Sequence, residues 1–155
     1  MAEWKGGVSL MCEKAMEIAK RVHAGQKDKA GAEYYLHPFH VAEQVETEEE
    51  KIVAYLHDVV EDSEVSLEDL KKEGFSERVV AAIDAISKRK GEEYDLYLQR
   101  VAKNRLASTV KLADLRHNAD VTRYAAPTKQ DIERSHKYEE RIRVFREYCA
   151  AFEGF

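Results

Sequence analysis

Disulfide frameworks, membrane spans and basic nucleic-acid surfaces are all missing from this chain. It holds only two cysteines, Cys12 and Cys149, too few for a cystine-stapled fold. No stretch approaches the 18 apolar residues that a membrane-spanning helix needs. Met1 to Gly7 lack the apolar run of a secretion signal. A basic excess is absent too: 25 Lys and Arg stand against 30 Asp and Glu, for a net charge of −5. That balance argues against nonspecific nucleic-acid binding. The expectation is a cytoplasmic protein with neither nucleic acid nor membrane as partner, and nothing specifies an oligomeric state. At 155 residues the chain is read as a single domain over 1–155. A chain of that size buries roughly 68–70% of its unfolded surface, so it needs no staples.

Glycine and proline are scarce as well, seven and two, while 35% of residues are charged. This composition favours helix, and the apolar spacing agrees. Val8, Met11, Ala15, Ile18 and Val22 repeat at three and four residues, the stripe of an amphipathic helix. Gly25 to Leu36 reads as a loop. Pro38 suits the first turn of a second helix running to about Val45, with His37 extended just before it. Thr47 and Glu50 form a capping box for a third helix, which carries the apolar run Ile52 to Leu56 on to Val60. Ser66 and Asp69 open a short helix ended by Gly74, and Ser76 starts another with Val79, Val80, Ile83 and Ile86 inward. Ser87 to Glu93 is a polar connection. Tyr94–Ala102, Arg105–Asn118 and a long terminal helix after Pro127-Thr128 complete the chain. With no strand-period segment or internal repeat, the expected fold is all-α, a single-domain helical bundle.

Three segments carry residues suited to chemistry. In His57-Asp58-Val59-Val60-Glu61-Asp62, Glu61 follows His57 by four residues and Asp62 follows Asp58 by four. On one helix these residues stack a turn apart, about 6 Å along the axis. An acidic, solvated helix end is the plain alternative. It fits poorly with the apolar run before the segment, since carboxylates facing a core must be paired or bind metal. They also lie near the C-terminal end of the expected helix, where the dipole disfavours anions. The second segment is Val110 to Asn118, where Lys111, Asp114 and Asn118 share a face. By itself this is equally an ordinary helix with an internal ion pair worth a few tenths of a kcal/mol. The third is Asp28 to Pro38, with His37 at a loop-to-helix junction, equally readable as a half-buried His bonded to backbone. His23, His40, His117 and His136 are read as structural or surface residues.

Taken together, His37-Pro38, His57-Asp58-x-x-Glu61-Asp62 and Lys111-Leu-Ala-Asp114-x-x-His117-Asn118 resemble, in order and spacing, the HD-domain hydrolases of the Rel/Spo type, including stand-alone small alarmone hydrolases. The resemblance spans roughly residues 10 to 125. It implies an all-helical HD fold holding one Mn²⁺ through His37, His57, Asp58 and Asp114. It makes Glu61 and Asp62 the catalytic pair and places Lys29 and Asn118 against the nucleotide. Two positions depart from the pattern: Asp28 stands where that family has Arg, and Glu33 where Pro precedes the Tyr. The expected length leaves no room for a synthetase half.

Two imidazoles and two carboxylates form a mixed N/O set compatible with Mn²⁺, Fe²⁺ or Zn²⁺. A divalent ion there can bring the pKa of bound water to about 7. Glu61 and Asp62 can orient or deprotonate that water, or one can stay protonated and serve the leaving oxygen. A polyanionic substrate needs offsetting cations. Lys29, Lys111 and Arg123 are the first candidates, with Arg116 and Ser87–Lys90 behind them. The leading expectation is Mn²⁺-dependent hydrolysis of the 3′-pyrophosphate of (p)ppGpp or a related alarmone. The alternatives are the same chemistry on an adenine alarmone or the 2′-phosphate of NADPH, and a noncatalytic nucleotide sensor.

Overall fold

A computed structural model describes residues 4–5 and 8–152 of the chain. The fold is all-α. Two-residue strands β1 (Trp4–Lys5) and β2 (Val8–Ser9) pair antiparallel ahead of the first helix. The helices are α1 (Leu10–Val22), α2 (Leu36–Glu43), α3 (Glu48–Leu56), α4 (Val59–Asp62), α5 (Leu67–Lys72), α6 (Glu77–Ile86), α7 (Tyr94–Ala102), α8 (Arg105–Ala119) and α9 (Lys129–Ala151). A 3₁₀ turn, Val121–Arg123, separates the last two.

The helix starts follow side-chain chemistry. Thr47 with Glu50, Ser66 with Asp69, and Thr128 with Asp131 each make a reciprocal capping box. Ser9, Ser76 and Asn104 cap α1, α6 and α8 through a single side-chain acceptor. Each satisfies backbone N–H groups that the first helical turn leaves unpaired. Gly74 closes α5 at φ 99°, a left-handed conformation that favours glycine.

Helices α3 and α8 form the centre, α3 packing on α1, α2, α6 and α8, and α8 on α2, α6, α7 and α9. Val53, Leu56, Val110 and Leu115 are fully buried between them. The long α9 is polar on most of its surface and buries Phe145 and Ser135, with Tyr138, Ile142, Tyr148 and Cys149 packed against the core. Phe152, the C-cap of α9, is 37% exposed, because the helix has ended there.

Three local expectations need correction. Val8 belongs to β2, and α1 begins only after the Ser9 cap. His37 is helical, not extended: α2 starts at Leu36, so Pro38 falls third in its first turn, where no intrahelical donor is needed. Turn hydrogen bonds from Leu36 N–H to Glu33 O (3.1 Å) and His37 N–H to Tyr34 O (3.0 Å) hold His37 there against the usual pre-proline preference. The third helix stops at Leu56 and does not run to Val60. A turn at His57-Asp58 intervenes, with Asp58 at φ −101°, ψ −4°. The segment resumes as the single turn α4, tied by Asp62 N–H to Asp58 O at 2.9 Å.

One side chain, Arg100, makes the largest set of hydrogen bonds to the polar connection 87–93 and the helix end before it. Arg100 on α7 donates to the carbonyls of Asp84 (3.2 Å), Ala85 (3.0 Å) and Ser87 (3.0 Å) at the end of α6. It also grips both oxygens of Glu92, at 2.9 and 3.0 Å. Arg100→Met should therefore lower stability by about 2–3 kcal/mol, read as a reduced urea midpoint at unchanged m-value. The hydrogen bonds from Arg100 hold the Glu92 carboxyl down at about 2, against an ordinary value of about 4.3. A depressed carboxyl stabilises the fold above the unfolded value and loses that effect as pH falls. Thermal unfolding of Glu92→Gln between about pH 4.3 and 2 should accordingly show a shallower loss of stability than the parent.

Candidate metal centre

The break between α3 and α4 turns two side chains of the His-Asp motif inward. His57 is 2% exposed, and its Nδ1–H donates to Ala54 O at 2.6 Å. That bond leaves Nε2 facing away from the helix. Nε2 lies 3.2 Å from Asp58 Oδ2 and 3.5 Å from Asp114 Oδ1, yet has no hydrogen-bond partner. His37 approaches from α2, with its Nε2 2.8 Å from Asp114 Oδ1. His37, His57 and Asp58 each offer a ligand atom within 4.8 Å of the others. Asp114 enters from α8 through the Oδ1 shared between the two imidazoles. Four residues from three stretches of chain thus meet at one buried point.

Whether a cation fits can be judged from His57 Nε2. With the proton fixed on Nδ1 by the Ala54 carbonyl, a neutral His57 presents a lone pair to two carboxylates, all acceptors. The conflict ends only with a proton or a metal at their centre. Burial alone would push the His57 imidazole down, but Asp58 and Asp114 hold it well above its ordinary value. In the other direction burial would raise both Asp carboxyls; His57 outweighs it at Asp58, and Lys111, His37 and His57 outweigh it at Asp114, so both lie below the usual range. The pocket therefore holds two negative charges and a site for positive charge between them, and the N/O donor set suits a divalent transition ion.

The surrounding residues fix these ligands. Lys111 Nζ is 3.0 Å from Asp114 Oδ2, and Asn118 Nδ2 donates to Asp114 Oδ1 at 3.1 Å. Lys111 is 8% exposed and lies over the Tyr97 ring at 5.1 Å. The Tyr34 hydroxyl donates to Asp58 Oδ2 at 2.7 Å. His117, on the same face of α8 as Asp114, places its Nδ1 2.6 Å from His37 Nδ1.

Glu61 and Asp62 lie on the solvent side of α4. They do not stack with His57 along one helix edge, because the turn at 57–58 separates them. Glu61 accepts the backbone N–H of Lys88. Its carboxyl is raised by loss of hydration despite that bond. Asp62 is pushed up to about 6, first by loss of hydration and then by the charges of Asp58 and Glu61.

A cavity of about 440 Å³ opens beside His37, Asp58 and Asp114. Six cationic side chains line it, namely Lys27, Lys29, Lys111, Arg123, Arg134 and Arg141, against the three carboxylates of Asp28, Asp58 and Asp114. Among the described residues Lys29 and Arg141 make no ion pair, which leaves them available to an anionic ligand. Arg141 stacks over Tyr94 at 4.0 Å, a favourable cation–π contact. Asn118 also lines this cavity, whereas Arg116 lines a neighbouring one of about 580 Å³ on the His40–His117 side. Lys88, Arg89 and Lys90 line neither, and Arg89 pairs with Asp84 at 3.3 Å.

Asp28 does not stand as a free anion at the cavity mouth. Its Oδ1 accepts the backbone N–H groups of Ala30 (2.8 Å) and Ala32 (3.0 Å), bracing a turn in which Gly31 takes φ 87°. Its Oδ2 pairs with Arg123 at 3.4 Å. Glu33 pairs with Lys27 across the same loop. Sequence reasoning gave no site role to Tyr34, Tyr94, Tyr124, Arg134, Tyr138 and Arg141, and read His117 as structural or surface. A signal existed for the α9 group, since Arg134, Tyr138 and Arg141 recur at helical spacing.

Comparison with known proteins settles the family. The HD-domain profile matches residues 15–117. This chain belongs to the HD-domain family. The GTP pyrophosphokinase of Streptomyces coelicolor is 33% identical over 132 residues, covering 77% of the chain and 16% of that protein. The guanosine-3′,5′-bis(diphosphate) 3′-pyrophosphohydrolase of Borreliella burgdorferi is 32% identical over 137 residues, covering 76% of the chain and 20% of that protein. The chain thus spans about a fifth or less of the length of these curated relatives. A solved structure described as a metazoan ortholog of SpoT that hydrolyzes ppGpp superposes at a TM-score of 0.76 and 25% identity, covering 99% of this chain and 89% of that one. Among the described residues no helix is long and apolar enough to cross a membrane.

If the HD-domain pocket holds a divalent ion, Asp58→Ala and Asp114→Ala should each lower Mn²⁺ affinity by at least about tenfold, measured by titration against free-ion electron paramagnetic resonance. Binding should also release protons, because a ligating imidazole must be neutral; equal observed heats in two buffers of different ionisation enthalpy would contradict this.

Proposed function

We propose that the chain is a Mn²⁺-dependent phosphohydrolase, acting as one domain over 1–155 in the cytoplasm. Its proposed reaction removes the 3′-pyrophosphate of (p)ppGpp or a related alarmone, releasing pyrophosphate and GDP or GTP. The observation that carries this reading is the convergence of His37, His57, Asp58 and Asp114 beside a cavity lined by cations. The described activities of the relatives agree with it.

When bound, a divalent ion supplies a Lewis acid for a phosphate oxygen and makes a bound water more acidic. The chain's own residues do the rest. Lys29, Arg123, Arg134 and Arg141 offset the charge of the diphosphates, and Asn118 and the tyrosines offer hydrogen bonds and ring faces to the nucleotide. Lys111 is already committed to Asp114, so its part is to hold that ligand while adding positive charge to the cavity wall. Glu61 takes the proton of the attacking water as the water oxygen bonds to the phosphorus nearest the ribose. The P–O3′ bond breaks, and Asp62 donates a proton to the departing O3′.

Asp28 supports a second reading of base preference. Its carboxylate is consumed by the loop and by Arg123, so position 28 offers no cation to a base. An adenine alarmone or the 2′-phosphate of NADPH meets the same cations and the same pocket.

Incubation with Mn²⁺ and ppGpp should release pyrophosphate; no release at micromolar enzyme with metal bound would reject the substrate. In a panel of 3′- and 2′-phosphorylated nucleotides, a clear guanine preference removes the second reading. Glu61→Gln should retain the metal while turnover falls by about 10²–10⁴-fold, and a variant as active as the parent would overturn the assignment of the base.

A further inference from the structure

The two imidazoles of the candidate centre are held by their far nitrogens in different ways. His57 donates its Nδ1–H to a backbone carbonyl, a frequent partner for the outer nitrogen of a metal-ligating histidine. For His37 the corresponding partner is another imidazole. His37 Nδ1 and His117 Nδ1 are 2.6 Å apart, the ring centroids 4.8 Å and the planes 29° apart. Rings stacked face to face cannot bring two nitrogens so close. A centroid separation close to the N···N contact plus the two ring radii, its upper limit, places the rings edge to edge. In that arrangement each in-plane nitrogen points at the other.

Such a contact holds one proton. Two lone pairs would repel, and two N–H groups would collide. A cation at the centre needs the lone pair of His37 Nε2, the nitrogen that faces Asp114 and the other ligands. The proton of a neutral His37 is then on Nδ1 and is given to His117 Nδ1, while His117 keeps its own proton on Nε2. We propose that His117 is a positioning residue that selects the ligating tautomer of His37 and fixes its ring in the direction of the cation.

Two further features serve this role. His117 follows Asp114 by three residues on α8, so one helical face carries both a ligand and the support of a second ligand. The His40 ring lies 5.1 Å from that of His117 at 24°, a second ring packed beside it that limits its rotation. An imidazole acceptor also adds no charge, unlike a carboxylate, to a pocket that already holds two.

The inference rests on the metal-centre reading, and the test separates the two. Mn²⁺ affinity is measured by electron paramagnetic resonance for the parent, His117→Phe and His117→Gln, with metal-free thermal unfolding as the control on folding. His117→Phe keeps a ring but no acceptor and should bind about 10–100-fold more weakly. His117→Gln restores a carbonyl acceptor and should recover most of the loss. Equal binding by His117→Phe and the parent overturns the role of His117 alone, as does a glutamine variant no better than phenylalanine. A parent that binds no divalent ion overturns both readings. The unsubstituted protein supplies a second test. In its Zn²⁺-loaded form, imidazole ¹⁵N–¹H correlation spectra should show His37 protonated at Nδ1 and His117 at Nε2. The reverse tautomers would contradict the proposal whatever the variants do.

Discussion

Asp58 and Asp114 are ionised inside the protein within reach of the same imidazole nitrogen, and much of the architecture follows from keeping them there. Buried carboxylates are tolerated only when paired and hydrogen-bonded. Asp114 meets that condition with Lys111, Asn118 and His37, and Asp58 with the Tyr34 hydroxyl. What these partners leave open is the space before His57 Nε2, which a cation completes. The two central helices and α2 are the frame that carries this group of charges.

The frame explains why secondary structure breaks where it does. A continuous helix through residues 57 and 58 would keep His57 and Asp58 on the radial directions of α3. The turn between α3 and α4 instead lets both reach the centre, while Glu61 swings to the Lys88 backbone N–H. Likewise Leu36 starts its helix one residue before His37, giving the imidazole a fixed origin. The loop before it is braced by Asp28, so the cations at the cavity mouth stand on an ordered support.

Most of the fold was legible in the sequence because its signals are local. The capping boxes at Thr47, Ser66 and Thr128 and the glycine stop at Gly74 mark helix ends through bonds within four residues. The break after Leu56 was not legible, since nothing in His-Asp-Val-Val forbids a helix and the turn serves a tertiary purpose. The four inward-facing His and Asp residues were found through three motifs, not through any one of them. His117 was passed over because its partner, His37, lies eighty residues away. Arg134 and Arg141 were passed over because arginines on a long polar helix look like solvated charges until the other cavity wall is in place. Asp28 stood out as a departure in charge, but its use as a turn brace appears only with the backbone of residues 28–32.

The measurement that bears most directly on this account is anomalous diffraction at the manganese edge from crystals grown with Mn²⁺. A single peak with His37 Nε2, His57 Nε2 and one oxygen each of Asp58 and Asp114 within about 2.0–2.4 Å is the predicted result. Full Mn²⁺ in the solution with no peak at that point, or a peak elsewhere with His57 Nε2 left unligated, would contradict it.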